Sequence, residues 1–217
     1  MKYQALIFDL DGTLLDTLDD LADSVNAVLH MYGYPQKTRD EVCAAVGNGI
    51  VKLIERVIPE GRENPSFDRV LADFKQYYGA HCEDKTAPYA GIPELLAQLQ
   101  NVGVKMAIVS NKADFAVKTL AKAWFPNTIP VAIGENEAAG IRKKPAPDTV
   151  DLALRELGVT REQAAYVGDS EVDVLTARNC EMPCLSVTWG FRSRELLIES
   201  GADILIDTPQ ALWDAIQ

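Results

Sequence analysis

The sequence predicts an α/β fold: a parallel sheet with helices on both faces, carrying an all-helical insertion. Three observations predict it. From about Pro93 onward, short apolar runs alternate with helix-period segments over short connections, the pattern of a doubly covered parallel sheet. One further apolar run, Ala5 to Phe8, stands alone near the start and has to join that sheet. Between them, Thr17 to about Glu83 contains helical periodicity and no convincing strand, so it reads as an insertion after the first strand. The expected division is 1–16 with 86–217 for the sheet core and 17–85 for the insertion.

In chain order, Ala5 to Phe8 is a buried strand that stops at Asp9, with Gly12 and Thr13 turning the chain. Leu18, Leu21, Ala22, Val25, Val28 and Leu29 share one face of a helix that Gly33 ends. Residues 39–58 form two shorter helices split at Gly47-Asn48-Gly49, and Ser66 to Cys82 forms another. Ala87-Pro88-Tyr89-Ala90-Gly91 is a linker or hinge. Strands are then expected at 104–109, 131–133, 164–167, 184–187 and 203–206. Helices are expected at 93–101, 113–122, 146–157, 172–179 and 193–199, with a last short one from Pro209.

Composition narrows the function classes. With 217 residues the chain can bury a full core. Its net charge is −11 and it has no basic run, which argues against nucleic acid and anionic membrane as partners. An anionic ligand therefore needs a local cation. Cys43, Cys82, Cys180 and Cys184 lack CxxC spacing and read as reduced, partly buried thiols. With no signal-peptide pattern and no span of membrane length, the expected location is cytoplasmic. A monomer or homodimer is expected.

The polar residues that follow strands carry the chemistry. Asp9 and Asp11 leave the first strand; Ser110-Asn111-Lys112 follow the strand ending at Val109; Gly168-Asp169-Ser170 follow the one ending at Val167, with Asp173 one turn later. Lys143 and Lys144 precede a helix. Each piece alone has a plainer reading: a strand-exit turn, a helix N-cap, solvated charges. A calcium loop is excluded, because position 13 is Thr and the twelfth loop position is Asp20 rather than Glu. A parallel sheet lines these ends along one edge, so one site could hold Asp9, Asp11, Ser110, Lys144 and Asp169.

Such a set suits phosphoryl transfer from a monoester. Asp9 would attack phosphorus, and Asp11 would protonate the leaving alkoxide and later deprotonate water. Ser110 and the Asn111 amide would hold phosphoryl oxygens, and Lys144 would neutralise them. Asp169 would complete the shell of a Mg²⁺ ion, with Asp173 ligating through water or steadying Lys144.

Four stretches in this order resemble the phosphatases of the haloacid dehalogenase superfamily: Asp9-Leu10-Asp11-Gly12-Thr13-Leu14, Val109-Ser110-Asn111-Lys112, Lys144-Pro145-Ala146-Pro147-Asp148 and Gly168-Asp169-Ser170-Glu171-Val172-Asp173. The resemblance implies a Rossmann-like core with a helical cap. It also implies that Asp9 is the nucleophile, Asp11 the acid/base, and that Asp9, the Asp11 carbonyl and Asp169 ligate Mg²⁺. Asp16-Thr17-Leu18-Asp19-Asp20-Leu21, Val46-Gly47-Asn48-Gly49 and Val187-Thr188-Trp189-Gly190-Phe191 are similar to phosphoglycolate phosphatases within it. Asp11 separates the chain from the superfamily's dehalogenases, whose halide leaving group needs no proton. Asp19 and Asp20 stand where its sugar-phosphate mutases carry a His shortly after the first motif. The remaining alternatives are a pyrophosphatase or nucleotidase on the same core, or a β-phosphoglucomutase-like phosphomutase. His30 and His81 are expected in non-catalytic positions in the insertion. Lys52, Arg56 and Arg192 are expected at the surface, and Asn48 in a loop able to approach a ligand.

Overall fold

Strand β1 (Ala5–Phe8) contains four apolar residues, all fully buried, which requires neighbours on both edges and helices on both faces. The computed structural model, which describes residues 1–217, supplies both. The chain divides into two compact units, Met1–Asp16 with Pro88–Gln217, and Thr17–Ala87. Two short strands, β2 (Leu15–Asp16) and β3 (Ala87–Pro88), pair as a separate ribbon, and β3 falls in the segment expected to be a linker or hinge.

The Thr17–Ala87 unit is helical: α1 (Leu18–Met31), α2 (Arg39–Ala45), α3 (Ile50–Val57) and α4 (Phe67–His81). The apolar stripe of α1 is buried along its length, and α4 contributes Val70, Phe74 and Tyr78, the last two rings stacked at 5.6 Å. Thr38 and Glu41 close a capping box at the start of α2. Asp20 is buried yet satisfied, because its carboxylate accepts from the Lys85 and Thr86 amides and from the Thr86 hydroxyl at 2.8–3.0 Å.

In the other unit, the chain continues as α5 (Ile92–Asn101), β4 (Lys105–Ala113), α6 (Asp114–Trp124), β5 (Val131–Glu135) and α7 (Asp148–Leu157). It then runs through β6 (Ala164–Gly168), α8 (Glu171–Asn179), β7 (Cys184–Val187), α9 (Arg194–Glu199), β8 (Ile204–Ile206) and α10 (Pro209–Ala215). The sheet order is β5-β4-β1-β6-β7-β8, and every pair is parallel. The winding therefore goes outward from β1 to β5, returns to β6 on the other side of β1, and goes outward again. Beyond the carboxyl end of β1, at that reversal, open sheets of this kind bind ligands. No helix is long and apolar enough to cross a membrane.

Two expected boundaries that bear on the site are corrected. Strand β4 does not stop at Val109 but runs through Ser110, Asn111 and Lys112 to Ala113. Ala113 still pairs with Glu135 of β5 after a register shift that begins at Val109. The three polar residues stay in the sheet because it continues on their flank, and the irregularity re-aims their side chains. Helix α7 begins at Asp148 rather than Ala146, which leaves Lys144 in the turn before it.

Candidate active site

Each functional side chain is carried by a rigid element. Asp9 follows β1, and its amide donates to the Val167 carbonyl of β6 at 2.8 Å, so the strand pairing itself places it. Below it, the Leu10–Leu15 turn is closed by the Leu14 and Leu15 amides, both donating to the Leu10 carbonyl at 3.0 Å. Gly12 in this turn has a φ of +84°, and a Cβ there would overlap the Asp169 carboxylate. Asp169 follows β6. Ser170 caps α8, in a reciprocal box with Asp173.

Lys144 is the centre of the arrangement. Its side chain is 2% exposed, and its ammonium lies 2.9 Å from Asp9 Oδ1, 2.8 Å from Asp173 Oδ1 and 3.0 Å from the Tyr166 hydroxyl. Burial opposes a charged lysine, but Asp173 and Asp9 outweigh it and hold the ammonium above the ordinary lysine range. Asp173 is fully engaged: Oδ1 accepts from Lys144 and Tyr166, and Oδ2 from the Ser170 amide and hydroxyl at 3.1 and 2.5 Å. It therefore steadies Lys144 through hydrogen bonds that leave it little capacity as a ligand. Asn111 donates its side-chain amide to the Lys144 carbonyl at 3.0 Å, tying β4 to the turn before α7.

Asp9 Oδ1 accepts from the Leu10 amide at 2.7 Å as well as from Lys144, which leaves Oδ2 for other partners. Burial pushes the Asp9 carboxyl up to about 7 against the pull of Lys144, and the charges of Asp173 and Asp11 push in the same direction. Asp169 is held by the Thr13 hydroxyl at 2.9 Å and the Phe191 amide at 2.8 Å. Burial nonetheless raises it well above the usual carboxylate range, with Asp173 and Asp9 adding to the effect.

Carboxylate oxygens of Asp9, Asp169 and Asp173 approach within 4.8 Å of one another. Buried acids so close, two of them driven toward protonation, fit a hard divalent cation with oxygen ligands. Since Asp173 is saturated, Asp9 and Asp169 are the carboxylates suited to hold it.

The sequence-derived residues fall into two groups around β1. Asp9, Lys144, Asp169 and Asp173 converge in one cluster. Asp11 instead pairs with Lys112, whose ammonium is 2.7 Å from Asp11 Oδ1. Ser110 is buried on β4, and its oxygen accepts the Lys112 amide at 3.2 Å, leaving the hydroxyl proton free to donate.

Four contributors went unread as site residues: Lys112, Thr13, Tyr166 and the Trp189-Gly190-Phe191 turn, where Trp189 donates to the Thr13 carbonyl at 3.0 Å. Lys112 follows Ser110 by two, the spacing that returns to one strand face, and this was the available signal. Tyr166 reads as an ordinary core residue of a buried strand. Arg192, expected at the surface, has a side chain only 9% exposed and donates to Glu171 at 3.0 Å. Within the helical unit, Arg56 donates to Asn48 at 2.6 Å and to the Ala45 carbonyl at 2.8 Å, and Lys52 pairs with Glu55. His81 is exposed and paired with Asp84 at 2.8 Å. None of the four cysteines is in a disulfide.

This fold and this edge of acids and lysines define a class of hydrolase. A family model described as haloacid dehalogenase-like hydrolase matches residues 6–187, and the chain belongs to that family. A phosphoglycolate phosphatase of Pseudomonas putida is 32% identical over 213 residues, covering 95% of this chain and 77% of that protein. An N-acetylmuramic acid 6-phosphate phosphatase of Pseudomonas aeruginosa is 28% identical, covering 100% of this chain and 96% of that protein. A crystal structure from Lactobacillus delbrueckii subsp. bulgaricus, of a protein designated a phosphoglycolate phosphatase by inference, superposes with a TM-score of 0.94. It is 40% identical, and the match covers 100% of this chain and 99% of that one. The chain is a phosphoric monoester hydrolase of the haloacid dehalogenase-like family.

Proposed function

We propose that this chain hydrolyses small phosphomonoesters through an aspartyl phosphate on Asp9, with Mg²⁺ as cofactor and 2-phosphoglycolate as the favoured substrate. The observation that carries this reading is the Lys144 ammonium bridging Asp9 and Asp173 beside Asp169 at the end of β1. A dianionic phosphoryl group and an attacking carboxylate repel one another, and a fixed buried ammonium offsets that repulsion.

In the first step an Asp9 oxygen bonds to phosphorus as the ester P–O bond breaks, and Asp11 gives its proton to the departing alkoxide. In the second step Asp11 takes a proton from the water that attacks phosphorus, which frees phosphate and regenerates Asp9. Ser110 and the Asn111 amide orient phosphoryl oxygens, and Lys144 neutralises them. Mg²⁺, held by Asp9, Asp169 and the Asp11 carbonyl, would supply the remaining positive charge.

The substrate assignment rests on the phosphoglycolate phosphatases among the relatives. A second reading, N-acetylmuramic acid 6-phosphate, is favoured by a relative matched across nearly its whole length. Phosphate release from both compounds, from nucleoside monophosphates and from pyrophosphate, with Mg²⁺ or with chelator, ranks them by kcat/KM. Asp9→Asn is expected to abolish turnover while circular dichroism stays unchanged. Retained hydrolysis by a folded Asp9→Asn protein rules out the covalent route.

A further inference from the structure

Lys112 has no part in the chemistry above, yet its side chain is as buried as that of Lys144, at 3% exposed. A buried ammonium is costly unless a carboxylate meets it, and the carboxylate here is Asp11, at 2.7 Å. The two partners differ in setting. Lys112 is built into β4, the strand beside β1, in the stretch where the register shifts against β5. Its amide is tied to Ser110. Asp11 sits in the turn beyond β1, where the Gly12 amide donates to the Leu15 carbonyl at 2.9 Å. That turn fixes the Asp11 backbone, and the side chain reaches across to Lys112. Asp11 keeps 13% of its side chain exposed, so it remains reachable from solvent while one oxygen is held from the sheet side.

We propose that Lys112 is the positioning residue of the proton carrier: anchored in β4, it sets the direction in which Asp11 presents its carboxyl group to the leaving group and to the attacking water. The proposal rests on the reading of Asp11 as acid/base. Proton transfer requires the donor within hydrogen-bond reach of the oxygen it serves, and an aspartate on a turn has two free torsions to lose. The ion pair removes them before substrate arrives. Lys112 thus acts on the reaction through Asp11, whereas Lys144 acts on Asp9 and on the phosphoryl group.

A double-mutant cycle with two substrates tests this. An alkyl phosphate needs its leaving group protonated, and an aryl phosphate such as p-nitrophenyl phosphate does not. Lys112→Met is expected to lower kcat on the alkyl ester about 10²-fold, with a several-fold smaller loss on the aryl ester and KM changed less than about threefold. In an Asp11→Asn background, assayed on the aryl ester, the same substitution is expected to change kcat less than about twofold, because nothing remains to be positioned. Folding is checked by circular dichroism, and Lys112→Gln, which keeps a polar donor, replaces the Met variant should that one not fold. Equal losses in both backgrounds, or equal losses on both esters of kcat/KM, which reads the leaving-group step alone, overturn the proposal. Wild-type turnover by Asp11→Asn overturns the acid/base reading instead, so the two failures are distinguishable.

Discussion

Two lysine–aspartate pairs flank β1, and they are built to opposite specifications. Lys144 lies in a network of two carboxylates, a phenol and a capping serine, in which Asp173 is wholly buried with every oxygen engaged, while Asp9 keeps one oxygen for other partners. Lys112 meets Asp11 at a similar distance, but Asp11 keeps 13% of its side chain exposed where Asp173 keeps none. Closed ionic networks in a low-dielectric setting are stiff and costly to break at one member. A pair with one open partner can hold a side chain and still let it exchange protons with a ligand. The first arrangement suits a charge that must stay fixed while phosphorus moves between oxygens; the second suits a proton carrier.

The comparison breaks most visibly at Lys144. Lys144→Met leaves the Asp9 and Asp173 carboxylates buried without their cation, which is expected to cost about 3–5 kcal/mol of stability and to reduce turnover by more than about 10³-fold. Urea unfolding and phosphate-release assays read both. If stability stays within about 0.5 kcal/mol of wild type, the range of an ordinary surface substitution, the network is not the closed unit described. A smaller effect is expected from Asp173→Asn. It keeps the shape and some of the hydrogen bonds but loses one of the two anions on Lys144, for about 1–3 kcal/mol and a drop in kcat on the order of 10- to 100-fold. Unchanged kcat would mean that Lys144 does not need Asp173 to stay in place.

The two pairs also differ in how far they could be read in advance. The sheet and its order of helices follow from apolar runs and short connections, and the burial of Ala5 to Phe8 matches its lack of any polar residue. Asp9, Lys144 and Asp169 were legible only together: each has a local reason to stand at a strand end or before a helix, but a parallel sheet brings such ends to one edge. Tyr166 was not legible: a tyrosine in the middle of β6 has the pattern of a core residue, and only the packed structure shows its hydroxyl between Lys144 and Asp173. Lys112 was half-legible. It stood in the Val109-Ser110-Asn111-Lys112 stretch without a role of its own, because a strand ending at Val109 puts it outside the sheet. The extra length of β4 is a tertiary effect of pairing with β5, and local propensity does not encode it. Arg192 was misjudged for the same kind of reason, since its partner Glu171 lies on another element.

The gentlest way to sharpen the comparison is pH, because it separates the acids of the closed cluster from their lysine. Asp9 is pushed up to about 7 and Asp169 is raised well above the ordinary range, so the folded, metal-free protein binds these protons more tightly than the unfolded chain. Unfolding free energy then falls as pH rises from the unfolded carboxylate range, near 4, through about 7. Lys144 cannot mask this trend, because its raised affinity for protons changes stability only above the ordinary lysine range. In chelator, the melting temperature of wild type minus that of Asp9→Asn should therefore decline by a few degrees between pH 5 and pH 7.5. Surface carboxylates common to both proteins cancel in that difference. A divalent cation binds only the deprotonated acids, so the stabilisation by added Mg²⁺ should grow over the same interval. A flat difference in chelator, together with a Mg²⁺ increment independent of pH, would show that Asp9 is already an ordinary carboxylate in the empty site, held down by Lys144 more strongly than its burial lifts it.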